Sequence, residues 1–266
     1  MAWNKNASII IEHDFPSIAK IDMKVEPIHG ERALYIQKAK AIVIADLHIG
    51  IEFEYENRGI TIPLQTKSMM ERIIAMLKRK RAEKLIILGD LKHVILDREH
   101  IMKERREVAY FLKELSKHAE IWIVKGNHDA RLKSKYAKIF GARGILLDNI
   151  AMAHGHAWCS PSIMKASILI MAHLHPYIRI TTKTGYSYTE PCWIKGRFKK
   201  QKFSKKYPDG NENMQVIVMP SFNPIAGGIA VNKEKLEHGI ASLIDIENAN
   251  VYLLNGINLG RVRNLR

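Results

Sequence analysis

The chain alternates between short, wholly apolar runs and longer segments whose apolar residues recur every three or four positions. "AIVIA" (41–45), "KLIIL" (84–88) and "IWIV" (121–124) are the first three runs. Each has strand length and is apolar throughout, as expected of strands buried on both faces. Between them lie two helical patterns. In residues 63–82, Met69, Met70, Ile73, Ile74 and Leu77 share one face, Pro63 suits the start, and Lys78–Arg81 complement the dipole at the end. In residues 98–118 the stripe is Ile101, Val108, Phe111, Leu112 and Leu115. The order β-α-β-α-β predicts parallel pairing with helices over the sheet. The second half carries "NIAMAHG", "SILIMAHLH" and "MQVIVMPSF", with little room for helices between them. "GIASLIDIE" and "VYLLNGI" predict a terminal hairpin turning at Asn248-Ala249-Asn250. Two stacked sheets with helices outside follow from this division. We expect one domain over residues 1–266.

Each apolar run ends in polar residues of one chemical kind. The ends are Asp46-Leu47-His48, Gly89-Asp90, Gly126-Asn127-His128-Asp129, His154-Gly155-His156 and His173-Leu174-His175. α/β folds build their sites outside the carboxyl ends of their strands. In Asp46-x-His48, an extended backbone would point both side chains to one side. Asp90 has two oxygens with which to bridge two ions, Asn127 offers a neutral oxygen, and His154, His173 and His175 offer nitrogens. Mixed oxygen and nitrogen donors without thiolate suit Mn²⁺, Fe, Zn²⁺ or Ni²⁺, with Mn²⁺ the expected ion. Two ions about 3.5–4 Å apart clamp a phosphoryl group and lower the pKa of a bridging water.

Composition adds charge to this picture. The 266 residues carry a net charge of +15, a field that attracts polyanions. Solubility or a compositional bias toward lysine is the plainer account. Eight basic residues lie between Lys183 and Lys206, with Tyr186, Tyr188, Trp193, Phe198 and Phe203 interleaved. Such a surface grips phosphates and stacks bases, so Lys195, Arg197, Lys199, Lys200, Lys205 and Lys206 are candidate nucleic-acid contacts. A solvated hairpin with inward-packed aromatics is the alternative for residues 183–213, which we read as a basic hairpin or loop insertion. Cys159 and Cys192 form no CxxC pair and are expected to be reduced. No apolar run reaches the length of a membrane span, and the first 17 residues lack the pattern of a signal peptide. The cytoplasm is the expected location.

The blocks D-x-H, G-D, G-N-H-D, H and H-x-H, in this order over residues 46–175, resemble the calcineurin-like metallophosphoesterase superfamily. The resemblance implies a four-layer αββα sandwich. It implies that Asp46, His48 and His175 hold one metal, that Asn127, His154 and His173 hold the other, and that Asp90 bridges them. His128 would stabilise charge on the phosphate and protonate the leaving oxygen, with Asp129 orienting a neighbour. Ala172 replaces the glycine usual in the last block. His93 stands where the protein phosphatases of the superfamily have aspartate, and resembles the nuclease-type branch; we read it as a second catalytic imidazole. "ADLHIGIEFEYENRGITIP" and "PSFNPIAGG" resemble the small archaeal and bacterial metallophosphoesterases associated with a DNA ligase and a helicase. That implies phosphodiesterase chemistry on nucleotides or nucleic acid, in a DNA-repair context with helicase or ligase partners. A phosphomonoesterase of the same fold, or a non-catalytic basic domain that binds nucleic acid, are the other readings.

Overall fold

A computed structural model describes residues 25–93, 98–236 and 239–266. The expectation about a signal peptide falls outside them. No helix among the described residues is long and apolar enough to cross a membrane.

The first sheet contains β1 (Val25–Pro27), β2 (Leu34–Ile36), β3 (Ala41–Ile44), β4 (Lys84–Leu88), β5 (Glu120–Val124) and β6 (Lys138–Phe140), paired in that order. β3, β4, β5 and β6 run parallel, as the buried runs predict. The second sheet contains β7 (Ile145–Leu147), β8 (Ile150–Ala153), β9 (Ile168–Met171), β10 (Pro176–Thr181), β11 (Ser187–Arg197), β12 (Gln215–Val218) and β13 (Ile229–Ala230). Its order is β13-β10-β11-β12-β9-β8-β7, and β14 (Asn250–Leu253) and β15 (Asn258–Arg261) extend it from β11. β8, β9 and β12 are mutually parallel. Both sheets are therefore mixed.

Helices α1 (Ile51–Glu56), α2 (Thr66–Lys80), α3 (Arg98–Leu115) and α4 (Lys200–Lys206) complete the fold. Alternation within each strand creates the layers. Ile42, Ile44, Leu85, Ile87, Ile121 and Ile123 point toward Met69, Ile73 and Leu77 of α2 and Phe111 and Leu112 of α3. Ala41, Val43, Ile86 and Leu88 point the other way and meet Ile168, Ile170, Trp193 and Ile217 of the second sheet. Leu169, Met171, Val216 and Val218 form the outer face of that sheet, covered by Phe203 of α4 and by short 3₁₀ turns. β3, β4, β8 and β9 are buried on both sides, which explains their unbroken apolar character. The two stacked mixed sheets with flanking helices agree with the sequence reading.

Three local expectations change. The helix predicted from Pro63 begins at Thr66 and ends at Lys80, where Arg81 turns left-handed at φ 48°. The terminal hairpin does not turn at Asn248-Ala249-Asn250. Gly239–Leu243 and Ile246–Asn248 are 3₁₀ turns that bury Ile240 and Ile246 in the outer core. The hairpin is β14–β15, closed where the Leu253 N–H donates to the Ile257 carbonyl and Gly256 adopts φ 88°. The basic segment is threaded into the sheet: β11 pairs with β10 along one part and with β12 and β14 along the other.

Phe111 is fully buried between α3 and the first sheet. Phe111→Ala should destabilise the metal-free protein by about 3–5 kcal/mol, read as a lowered urea midpoint with an unchanged slope.

Candidate metal centre

The ligand-bearing residues follow the C-terminal ends of the parallel strands in both sheets. Asp46 lies just beyond β3, Asp90 beyond β4, Asn127 beyond β5, His154 beyond β8, and His173 and His175 beyond β9. They do not converge as extended strands would have them. β3 ends at Ile44, and Asp46, His48, Asp90, His173 and His175 all have positive φ, between 42° and 71°. Left-handed backbone costs a non-glycine residue roughly 1–2 kcal/mol. Five neighbours in that state imply a framework that holds them.

The framework is visible in the backbone. The His48 N–H donates to the Asp90 carbonyl at 2.8 Å and the Asp46 N–H to the Gly89 carbonyl at 3.1 Å. Asp129, fully buried, receives Leu91 N–H at Oδ1 (3.1 Å) and Gly126 N–H at Oδ2 (2.9 Å), stapling the two loops together. Gly126 is extended (φ −88°, ψ −177°), so it does not serve as the turn. It is needed because a Cβ there would lie 2.1 Å from Asp90 Oδ1. From the second sheet, the Ser221 hydroxyl donates to the Asp46 carbonyl at 2.7 Å and the Asn223 amide to the Leu47 carbonyl at 2.8 Å. Arg32 in turn donates to the carbonyls of Ser221 and Asn223.

Two groups that include a carboxylate result, Asp46, His48 and His175, and Asp90, His154 and His173; a third, all-imidazole group is His48, His93 and His128. Asn127 Oδ1 lies 3.2 Å from His154 Nε2 and so joins the second group. Asp90 faces both groups through one oxygen. Its Oδ2 is 3.2 Å from His154 Nε2 and 3.8 Å from His48 Nε2, while its Oδ1 accepts the His128 N–H at 2.9 Å. His154 Nδ1 is 2.9 Å from the Leu88 carbonyl and His175 Nδ1 is 2.6 Å from the Gly227 carbonyl. These contacts put the neutral rings' protons on Nδ1 and leave each Nε2 with a lone pair. The lone pairs face carboxylate oxygens: His175 Nε2 is 3.3 Å from Asp46 Oδ1. Asp46 Oδ1 is buried and has no hydrogen-bond donor. Acceptors facing acceptors in a buried site need a cation between them, a proton in the metal-free chain or a metal ion in its place. The donor set therefore fits divalent metal.

Titration behaviour of the metal-free chain agrees. Burial pushes His48 down to about 3 and His173 down to about 4, against the pull of nearby carboxylates, so both rings are neutral ligands. Burial also opposes charging His154, but its contacts with Asp90 and Asp46 outweigh this and hold it up at about 9. Burial works against charging His175 too, and Asp46 again prevails.

His93 and His128 stand beside these groups. Their rings stack at 5.5 Å and 15°. His93 Nδ1 is 3.4 Å from His48 Nδ1, and its Nε2 is 2.6 Å from Glu54 Oε2. Burial lowers His128, with Asp90 opposing. Glu54, Ser221 and Asn223 were not singled out from the sequence, although all three lie in the stretches "IEFEYENRGITIP" and "PSFNPIAGG".

Residues 39–259 match the calcineurin-like phosphoesterase family. The chain belongs to that family. No curated protein matches the sequence. Among solved structures, this calcineurin-like phosphoesterase resembles the Pseudomonas putida nuclease MPE, with 20% identity and a TM-score of 0.53, over 87% of this chain and 97% of that one. It also aligns with Yfce, a phosphoesterase from E. coli, with 15% identity and a TM-score of 0.36, over 83% and 97% of the two chains. The likeness to the nuclease is one of fold. Family and donor geometry together make the protein a metal-dependent phosphoesterase.

The basic residues are not brought to this site. Arg197 pairs with Gln215 at the start of β12, whereas the centre lies beyond its end, and Lys195 pairs with Ile217 within the strand. α4, with Lys200, Lys205 and Lys206, and Lys199 before it, joins the sheet near the start of β9, through Asn211 to Met164 and Gln215 to Ser167. Four strand residues, about 13 Å, separate that edge from the ligands. Of the interleaved aromatics, Trp193, Phe198 and Phe203 are buried, and only Tyr186 and Tyr188 are exposed.

Two outcomes test the centre. Below about pH 9 a proton on His154 Nε2 must leave before a metal binds there, so loading at pH 7.5 should release acid. Calorimetric titration in buffers of different ionisation enthalpy measures it, and zero release would remove His154 from the ligand set. Asn223→Ala should weaken metal binding about 10–100-fold, as loss of an outer partner does, with the circular dichroism spectrum intact.

Proposed function

We propose that the protein is a two-metal phosphodiesterase acting on nucleotides or nucleic acid. The observation that carries this reading is the stacked His93–His128 pair beside the two donor groups. A phosphodiester expels an alkoxide, which must be protonated as it leaves, and His128, half-buried, is the more accessible member of the pair and can donate a proton to it. Two cations bound by the donor groups would supply a nucleophile from water and neutralise the phosphoryl oxygens. Mn²⁺ is our assignment from the mixed imidazole and oxygen donors.

The chain's residues have separate tasks in this reading. Asp46, His48 and His175 would hold one cation and Asn127, His154 and His173 the other, with Asp90, whose Oδ2 faces both groups, available to each. Asp90 Oδ1 fixes the backbone of His128 and so the height of its ring. His93 has both nitrogens engaged, by Glu54 and His48. It therefore orients His48 and backs the His128 ring, and does not meet the phosphate with an N–H of its own. The net charge of +15 favours polyanionic substrates. Membership of the ligase- and helicase-associated subgroup, and a DNA-repair role, rest on the two stretches that contribute Glu54 and the Ser221–Asn223 brace.

Metal-stripped protein titrated with Mn²⁺ should gain hydrolysis of bis-p-nitrophenyl phosphate, and Asp90→Asn should remove it. Faster turnover of p-nitrophenyl phosphate than of the diester would instead favour a monoesterase. His128→Ala should cost a diester with a nucleoside leaving group at least tenfold more in kcat than one with p-nitrophenolate, which departs without a proton. His93→Gln should lower both alike. Equal losses for both substrates in His128→Ala would deny it the role of general acid.

A further inference from the structure

A cavity of about 500 Å³ opens beside His93, the ring stacked on His128. It lies between α3 and the loop of residues 130–136, which continues straight from Asp129. His93 and Lys92 form the wall toward the metal centre. Its volume is within the range of small-molecule sites, roughly 300–1,000 Å³. Ile101, Val108 and Leu112 supply an apolar floor, and Lys92, Arg105, Arg131, Lys133 and Lys135 a cationic rim. Among the described residues Glu104 is the one carboxylate of the lining, with only 4% of its surface exposed, and its Oε2 has no hydrogen-bond partner among them.

Three chemical features thus meet in one cavity that borders His93, the neighbour of the general acid. The apolar floor suits the face of a base or sugar. A buried, unpartnered carboxylate oxygen needs an N–H or O–H donor, which a base amine or sugar hydroxyl provides. The cations suit a further phosphate. The loop lining the cavity follows directly from His128 and Asp129, so a strand leaving the centre past His128 meets it.

We propose that this cavity is the subsite for the leaving nucleotide of a polynucleotide strand, with Glu104 receiving a donor from its base or sugar and Arg131, Lys133 and Lys135 holding its next phosphate. The proposal rests on the phosphodiesterase reading and narrows it: small cyclic or diaryl diesters leave the cavity unused.

Steady-state kinetics of the Mn²⁺-loaded enzyme on bis-p-nitrophenyl phosphate, TpT, pTpT and TpTp tests it. One of the two phosphorylated dinucleotides should exceed TpT at least tenfold in kcat/KM, mainly through KM. The triple variant Arg131→Ala/Lys133→Ala/Lys135→Ala, altered only at exposed positions, should lose most of that preference. Glu104→Gln should lower the ratio of TpT to bis-p-nitrophenyl phosphate turnover. Equal kcat/KM for TpT, pTpT and TpTp, or a preference unchanged in the triple variant, would overturn the subsite while leaving the diesterase standing. No hydrolysis of any of the four substrates would overturn the diesterase reading, and the subsite with it.

Discussion

Two buried carboxylates, Asp46 and Asp90, lie among imidazoles whose free nitrogens point at them, and Asp46 Oδ1 has no hydrogen-bond donor. Most of the architecture around the strand ends exists to keep this arrangement in place. Removing a carboxylate from water costs several kcal/mol unless charge or donors compensate it. In the metal-free chain a proton on His154, held up at about 9, offsets part of it; divalent cations do so more completely. The same crowding explains why the ligands are held in left-handed backbone conformations, which the chain would not adopt on its own account.

The ligands belong to loops of both sheets, and the loops hold one another. Asp129 fastens the loop after β4 to the loop after β5. Ser221 and Asn223 reach across from the end of β12 to the carbonyls of Asp46 and Leu47. The sandwich core ties the sheets together immediately beneath, through Val43, Leu88, Ile170 and Met219. Rigidity of the centre is thus a property of the whole sandwich. The chain that carries Asn127 and His128 continues into the loop that walls the neighbouring cavity, so chemistry and substrate contact share one segment.

Much of this was legible in the sequence because the central strands β3, β4, β8 and β9 are buried on both faces and run into polar residues of metal-binding type. The apolar runs at 41–45, 84–88 and 121–124 could hardly be anything else, and the five polar blocks follow such runs. What escaped was made by tertiary geometry. Ser221 meets Asp46 across 175 positions of chain, and the contact is to a backbone carbonyl, which leaves no complementary side chain to notice. Glu54 meets His93 only because α1 folds back over the loop after β4. The convergence of Asp46 and His48 was ascribed to strand pleating, whereas positive φ at both residues achieves it. The hairpin was misplaced because Ile240 and Ile246 alternate like strand residues yet bury themselves in 3₁₀ turns, while the stronger signal, Asn255-Gly256, lay a few residues on. The basic segment read as one surface because charge was counted along the chain, but β11 divides it between an exposed hairpin and a sheet edge remote from the ligands.

The central claim is that the strand ends form a two-metal site with Asp90 between the ions. Anomalous diffraction from crystals of Mn²⁺-loaded protein tests it most directly. The account predicts two manganese peaks, one among Asp46, His48 and His175 and one among Asn127, His154 and His173, with Asp90 Oδ2 between them. A single peak, or peaks away from these residues, would contradict it.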